Sequence, residues 1–166
     1  MNLEELNGLP AAQARSQFEN CCAAEKWIEG MLAGRPYRNS ESLIAQSRSL
    51  WDSLTEPDWL QAFEAHPQIG NVETLRQKYA GTKALASGEQ SGTSLASDDV
   101  LQRLKAANDL YLKRHGFIFI VCATGKSAEE MLALLEARLG NSREQELKNA
   151  ACEQAKITEL RLEKLV

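Results

Sequence analysis

The chain has 166 residues, 43% apolar and 25% charged, with a formal net charge of −4 and a pI near 5.3. That length suits one domain, burying about 70% of its extended-chain surface. Its acidity, with Lys and Arg scattered among Glu and Asp, excludes a nucleic-acid surface, which needs clustered cations against phosphates. No signal-peptide pattern opens the sequence and no run approaches the roughly 18 apolar residues of a membrane span, so the expectation is a cytoplasmic protein with no membrane partner.

In chain order the signals are helical. Pro10 suits the first position of a helix through Ala11–Cys22, with Leu6 and Leu9 as its apolar lead-in. Trp27, Ile28, Met31 and Leu32 recur at helical spacing over 24–33, and Gly34-Arg35-Pro36 stops that run. Asn39 or Ser40 caps the next helix, with Leu43, Ile44, Leu50, Trp51 and Leu54 facing inward. Thr55-Glu56-Pro57-Asp58 opens another, carrying Trp59, Leu60 and Phe63 and leaving at His66. All three tryptophans are expected in the core. Asn71 caps a short helix over 72–79.

Between Ala80 and Ser97 periodicity vanishes into a long polar loop rich in Gly, Ser and Thr, a length that in compact domains tends to be functional or disordered. Ser97-Asp98-Asp99 caps a helix through Arg114, with Val100, Leu101, Leu104, Leu110 and Tyr111 inward. Ser127 starts a helix that ends at Gly140, and Asn141-Ser142 caps a last, long one over 143–165. The fold class predicted is therefore all-α, a bundle of about eight helices.

One run breaks the pattern. Gly116-Phe117-Ile118-Phe119-Ile120-Val121-Cys122-Ala123-Thr124-Gly125 is β-branched and aromatic, bounded by glycines, and locally reads as a buried strand. No other segment offers it a pairing strand, so its backbone groups need other partners. Either it continues as helix against propensity, or its amides meet side chains, water or a ligand.

The four cysteines show no Cys-x-x-Cys or His-x-x-x-His spacing, and Cys21 and Cys22 point about 100° apart on a helix. Buried, reduced thiols are expected, with no metal. Of the two histidines, His115 precedes a glycine at a helix end and is expected to cap carbonyls there. His66 lies between a helix and Pro67, which disfavours helical geometry before it and stiffens the exit turn. That corner either caps the helix or presents a group with an ordinary pKa of about 6.5 to a site.

Four elements stand in order: Ala65-His66-Pro67-Gln68-Ile69-Gly70, Ser87-Gly88-Glu89-Gln90-Ser91-Gly92, Gly116–Ala123, and Ile157-Thr158-Glu159-Leu160-Arg161-Leu162. Together they resemble the 2-oxo-4-hydroxy-4-carboxy-5-ureidoimidazoline (OHCU) decarboxylase family of urate degradation over nearly the whole chain. The resemblance implies a single all-α domain over residues 1–166, with a buried irregular apolar segment near 117–123. It also implies a homodimer and no cofactor, with OHCU as substrate and (S)-allantoin as product. It further implies that His66 and Glu89 are catalytic. Substrate binding falls to Pro67, Ser87, Gly88, Gln90, the backbone of Phe119, Ile120, Val121, Cys122 and Ala123, and Arg161 as a basic anchor. Gln68 stands where the family often has a basic residue, and Ile118 where it often has proline. The competing reading is an all-α interaction module without catalysis, in which the loop and the apolar run form a protein-binding groove.

Overall fold

The computed structural model describes residues 1–67, 72, 73, 75–77 and 93–166 (for 93–97, the backbone). Eight helices are delimited among them: α1 Leu3–Gly8, α2 Ala11–Cys21, α3 Glu25–Ala33, α4 Ser40–Asp52, α5 Glu56–Glu64, α6 Thr93–His115, α7 Ala128–Leu139 and α8 Arg143–Leu165. No strand occurs among the described residues. The all-α expectation holds. Two compact units share the chain, one formed by residues 1–66 with 149–166, the other by residues 67–148.

In the first unit the helix starts are set by caps. Before α5 the Asp58 carboxylate accepts from both the amide and the hydroxyl of Thr55 across Pro57, and before α4 Asn39 closes a reciprocal box with Ser42. Asn2 and Glu5 do the same for α1, their paired bonds measuring 2.8 and 2.9 Å. That short helix was expected only as an apolar lead-in; one buried residue, Leu6, gives no period to read. Trp27 is fully buried, meets Phe18 edge-on at 6.0 Å, and donates its indole N–H to Ser47. Trp51 donates to the Ala151 carbonyl at 2.9 Å, tying α4 to α8. Trp59 is only half-buried, contrary to expectation, and its indole N–H reaches the Trp51 carbonyl at 3.2 Å. An indole so placed keeps its face on the core and its polar edge bonded at the rim.

In the second unit α6 and α7 pack through Leu101, Leu104 and Tyr111 against Met131, Leu132 and Leu135, all buried. Leu110, expected inward, is 54% exposed. It lies about 100° from Tyr111 on the side away from Leu104 and Leu101, outside the stripe those three set. The helix also begins at Thr93 rather than after Ser97. Extending an existing helix adds a bond per residue without a new nucleus, which outweighs the small propensity penalties of Ser and Thr. Residues 72, 73 and 75–77 are helical as expected; Asn71 lies outside the described residues.

Residues 117–123 are neither helix nor strand. The run leaves α6 at Gly116, φ +82°, and turns again at Gly125, φ +75°, two left-handed positions that suit glycine. Phe117 and Ile120 are buried, the rest of the run half-buried. His115 does not cap with its ring. The ring is 1% exposed, 4.5 Å from the Tyr111 ring and stacked on Phe117 at 6.2 Å, and neither nitrogen has a partner among the described residues. Instead its carbonyl accepts from Arg143 Nε at 3.1 Å.

Candidate functional site

α5 ends at Glu64, and the His66 amide closes the last turn onto the Phe63 carbonyl at 3.1 Å. Pro67 follows, exposed and outside the helix, so the proline-stopped corner is present as read from sequence. The His66 ring is half-buried, and its Nε2 lies 2.5 Å from Gln154 Oε1 on α8. A carboxamide oxygen only accepts, so Nε2 carries the proton. Gln154 in turn donates to the Thr158 hydroxyl at 3.0 Å.

Gln154, Thr158 and Arg161 are spaced i, i+4 and i+7, one face of α8. Gln154 and Thr158 are buried polar residues on that face. Arg161 donates from Nη1 to the Cys21 carbonyl at 3.3 Å, at the C-terminal end of α2. The last carbonyls of a helix lack intrahelical partners and sit at its negative end, so a guanidinium is doubly favoured there. Glu159 does not compete for this arginine, since it pairs with Arg48 at 2.5 Å.

Burial holds the His66 pKa below its ordinary value; the Gln154 hydrogen bond opposes this and the nearby Arg161 charge reinforces it. The imidazole is neutral at neutral pH. Burial pushes the Cys21 and Cys22 thiols up to about 11, more than the Arg161 charge and, for Cys22, bonds from Ala24 and Thr158 pull them down. These thiols are therefore not thiolate nucleophiles. Both are buried and free, as expected, whereas Cys122 is half-buried and Cys152 exposed, contrary to expectation. Among the described residues no group of His, Cys, Asp and Glu could hold a metal ion.

The unpaired apolar run in the second unit has an ordered answer for its carbonyls. Arg138 Nη1 donates to the Ile120 carbonyl at 2.8 Å and Lys126 Nζ to that of Cys122 at 2.7 Å. The Arg138 guanidinium also lies 4.5 Å over the Phe119 ring. Behind it sits Glu146, 0% exposed, accepting from Arg138 Nε at 2.7 Å, Tyr111 Oη at 2.5 Å and Asn141 Nδ2 at 2.8 Å. The amides of Phe119, Ile120 and Val121 meet no acceptor among the described residues. The segment thus has cations on the Ile120 and Cys122 carbonyls and, among the described residues, no acceptor on the amides of 119–121.

Of the residues singled out from sequence, His66 and Arg161 come together in the first unit, and Phe119, Ile120, Val121, Cys122 and Ala123 line one irregular stretch of the second. Ser87, Gly88, Glu89 and Gln90 lie outside the described residues, as do Gln68, Ile69 and Gly70. Sequence reading missed Gln154 and gave Thr158, inside the last of the four elements, no role of its own. Their signal was a pair of polar residues on the otherwise apolar stripe of Ala150, Ala151 and Leu162.

Residues 7–163 match the family model for OHCU decarboxylase, a lyase family. The chain belongs to the OHCU decarboxylase family. It is 37% identical over 150 residues to an Arabidopsis thaliana uric acid degradation bifunctional protein, matching 90% of this chain but only 46% of that longer one. It is 30% identical over its whole length to a bowfin (Amia calva) OHCU decarboxylase, of which it spans 95%. A crystal structure of an OHCU decarboxylase in the presence of (S)-allantoin is similar in fold, with a TM-score of 0.69 and 38% identity over 89% of this chain and 95% of that one.

Proposed function

We propose that this chain is one cofactor-independent decarboxylase domain that converts OHCU to (S)-allantoin in urate degradation, with His66 as the proton-transfer group. The observation that carries the reading is an imidazole held against Gln154 and beside Arg161, in a chain of this family. In OHCU a C=N bond adjoins the carbon bearing both the carboxylate and the hydroxyl. As CO₂ leaves, the freed electron pair forms a C=C bond and displaces the C=N pair onto nitrogen, which takes a proton. The resulting enol loses its hydroxyl proton and gains one at the neighbouring carbon, giving allantoin. The substrate supplies its own electron sink, so positioning and proton delivery are the protein's task.

His66 would move the proton on one face, which fixes the handedness of the product. Arg161 would hold the carboxylate or a carbonyl with the remainder of its fork, and the family resemblance gives the backbone of residues 119–123 a substrate-binding role as well. Glu89 would bind the substrate hydroxyl, with Ser87, Gly88 and Gln90 reading ring N–H and C=O groups, and Pro67 would wall the pocket. The exposed apolar side chains Leu110 and Leu134 on α6 and α7 suit a homodimer, and free vicinal thiols suit the reducing cytoplasm. No helix among the described residues is long and apolar enough to cross a membrane.

The test adds purified protein to freshly generated OHCU and follows its ultraviolet decay and the circular dichroism of allantoin. Faster decay with a single-handed product supports the reading. Decay at the spontaneous rate with racemic product refutes it.

A further inference from the structure

The His66 contact has a direction that the resemblance alone does not supply. Each imidazole nitrogen has one in-plane position for a proton or a lone pair. At Nε2 that position is filled by Gln154 Oε1 at 2.5 Å. The amide is itself held in this sense. Its Nε2 donates to the Thr158 hydroxyl oxygen at 3.0 Å, one turn along α8. The carboxamide oxygen is what remains for His66. Proton donation thus runs from His66 to Gln154 and from Gln154 to Thr158.

We propose that Gln154 is the positioning residue that fixes His66 as the Nε2–H tautomer, leaving Nδ1 as the nitrogen that exchanges a proton with the substrate. This rests on the decarboxylase reading for the reaction served, and on the hydrogen-bond chain for the tautomer. A neutral amide orients the ring without making it basic, as a carboxylate there would. The groups around the ring agree: Arg161 on α8 is the charge that bears on it, and the Cys21 and Cys22 thiols at the end of α2 stay protonated.

The test begins with ¹⁵N-histidine NMR of the wild-type full chain at neutral pH, which needs neither activity nor a variant. A protonated Nε2 and a bare Nδ1 at His66 are expected; a protonated Nδ1 overturns the proposal. Gln154→Glu should raise the His66 pKa by about one to two units and move the acidic limb of the kcat/KM profile by the same amount. Gln154→Met, which keeps the volume, should lower kcat about 10- to 100-fold with KM within about threefold. An unchanged His66 titration in Gln154→Glu, or an unchanged kcat in Gln154→Met, overturns the proposal. A wild type that shows the Nε2–H tautomer but does not accelerate OHCU decay refutes the decarboxylase reading and leaves the Gln154 anchoring standing.

Discussion

Glu146→Gln isolates the charge that holds the second unit's irregular segment. The wild-type carboxylate is 0% exposed and takes three donors at 2.5 to 2.8 Å, while the Arg138 side chain is 13% exposed. Removing one partner of a buried ion pair costs about 3–5 kcal/mol, because the other charge stays buried without compensation. The amide keeps one acceptor oxygen, which offsets about 1 kcal/mol, yet its NH₂ must face either Asn141 Nδ2 or the Arg138 and Tyr111 donors. A net loss of about 2–4 kcal/mol follows, lowering the urea midpoint by about 1–2 M for an m-value of about 2 kcal/mol/M. Replacing both partners, Glu146→Leu with Arg138→Met, should recover much of the loss, though the Ile120 carbonyl then lacks its donor. Urea unfolding followed by far-ultraviolet circular dichroism reads these values. A Glu146→Gln midpoint within about 0.3 M of wild type, at unchanged m, would refute the account of this cluster.

Three further outcomes follow from the described residues. His115→Phe removes two buried ring nitrogens without partners while keeping the contacts to Tyr111 and Phe117, and should raise stability by about 1 kcal/mol in the same assay. Burial holds both His66 and His115 below the ordinary value of 6.5, so the unfolded chain binds more protons than the folded one. Stability should therefore be complete above that pH and fall as pH drops below it, more shallowly in His115→Phe, as midpoints between pH 5 and 8 will show. Thiol labelling should modify Cys152 fastest and Cys122 more slowly, with Cys21 and Cys22 protected until unfolding; rapid labelling of either buried thiol contradicts the packing of α2.

Much of the helical order was legible because boundaries are local chemistry. Asn39, Ser127 and the Gly140 stop mark ends within a residue, and the α8 limits match expectation. α1 escaped because six residues with one buried side chain carry no period, and α6 began early because helix propagation is inexpensive once started. Leu110 and Trp59 show the limit of an apolar alphabet, which says that a residue prefers burial but not which of two neighbours obtains it. At the site, His66 stood out through its proline and Arg161 through its motif. Gln154 did not, since it meets His66 across 88 residues of sequence and its own neighbours look like an ordinary helix. The backbone of 117–123 was recognisably short of partners; that Arg138 and Lys126 would supply them depended on side chains placed by another helix and a turn.

The most direct measurement compares wild type with a His66→Asn variant shown to share its circular dichroism spectrum and urea midpoint. Both are given fresh OHCU, and the ultraviolet decay and handedness of the product are followed together. The account predicts that the variant falls to the spontaneous rate and yields racemic allantoin while the fold is intact. A His66→Asn protein that makes (S)-allantoin at the wild-type rate would contradict it.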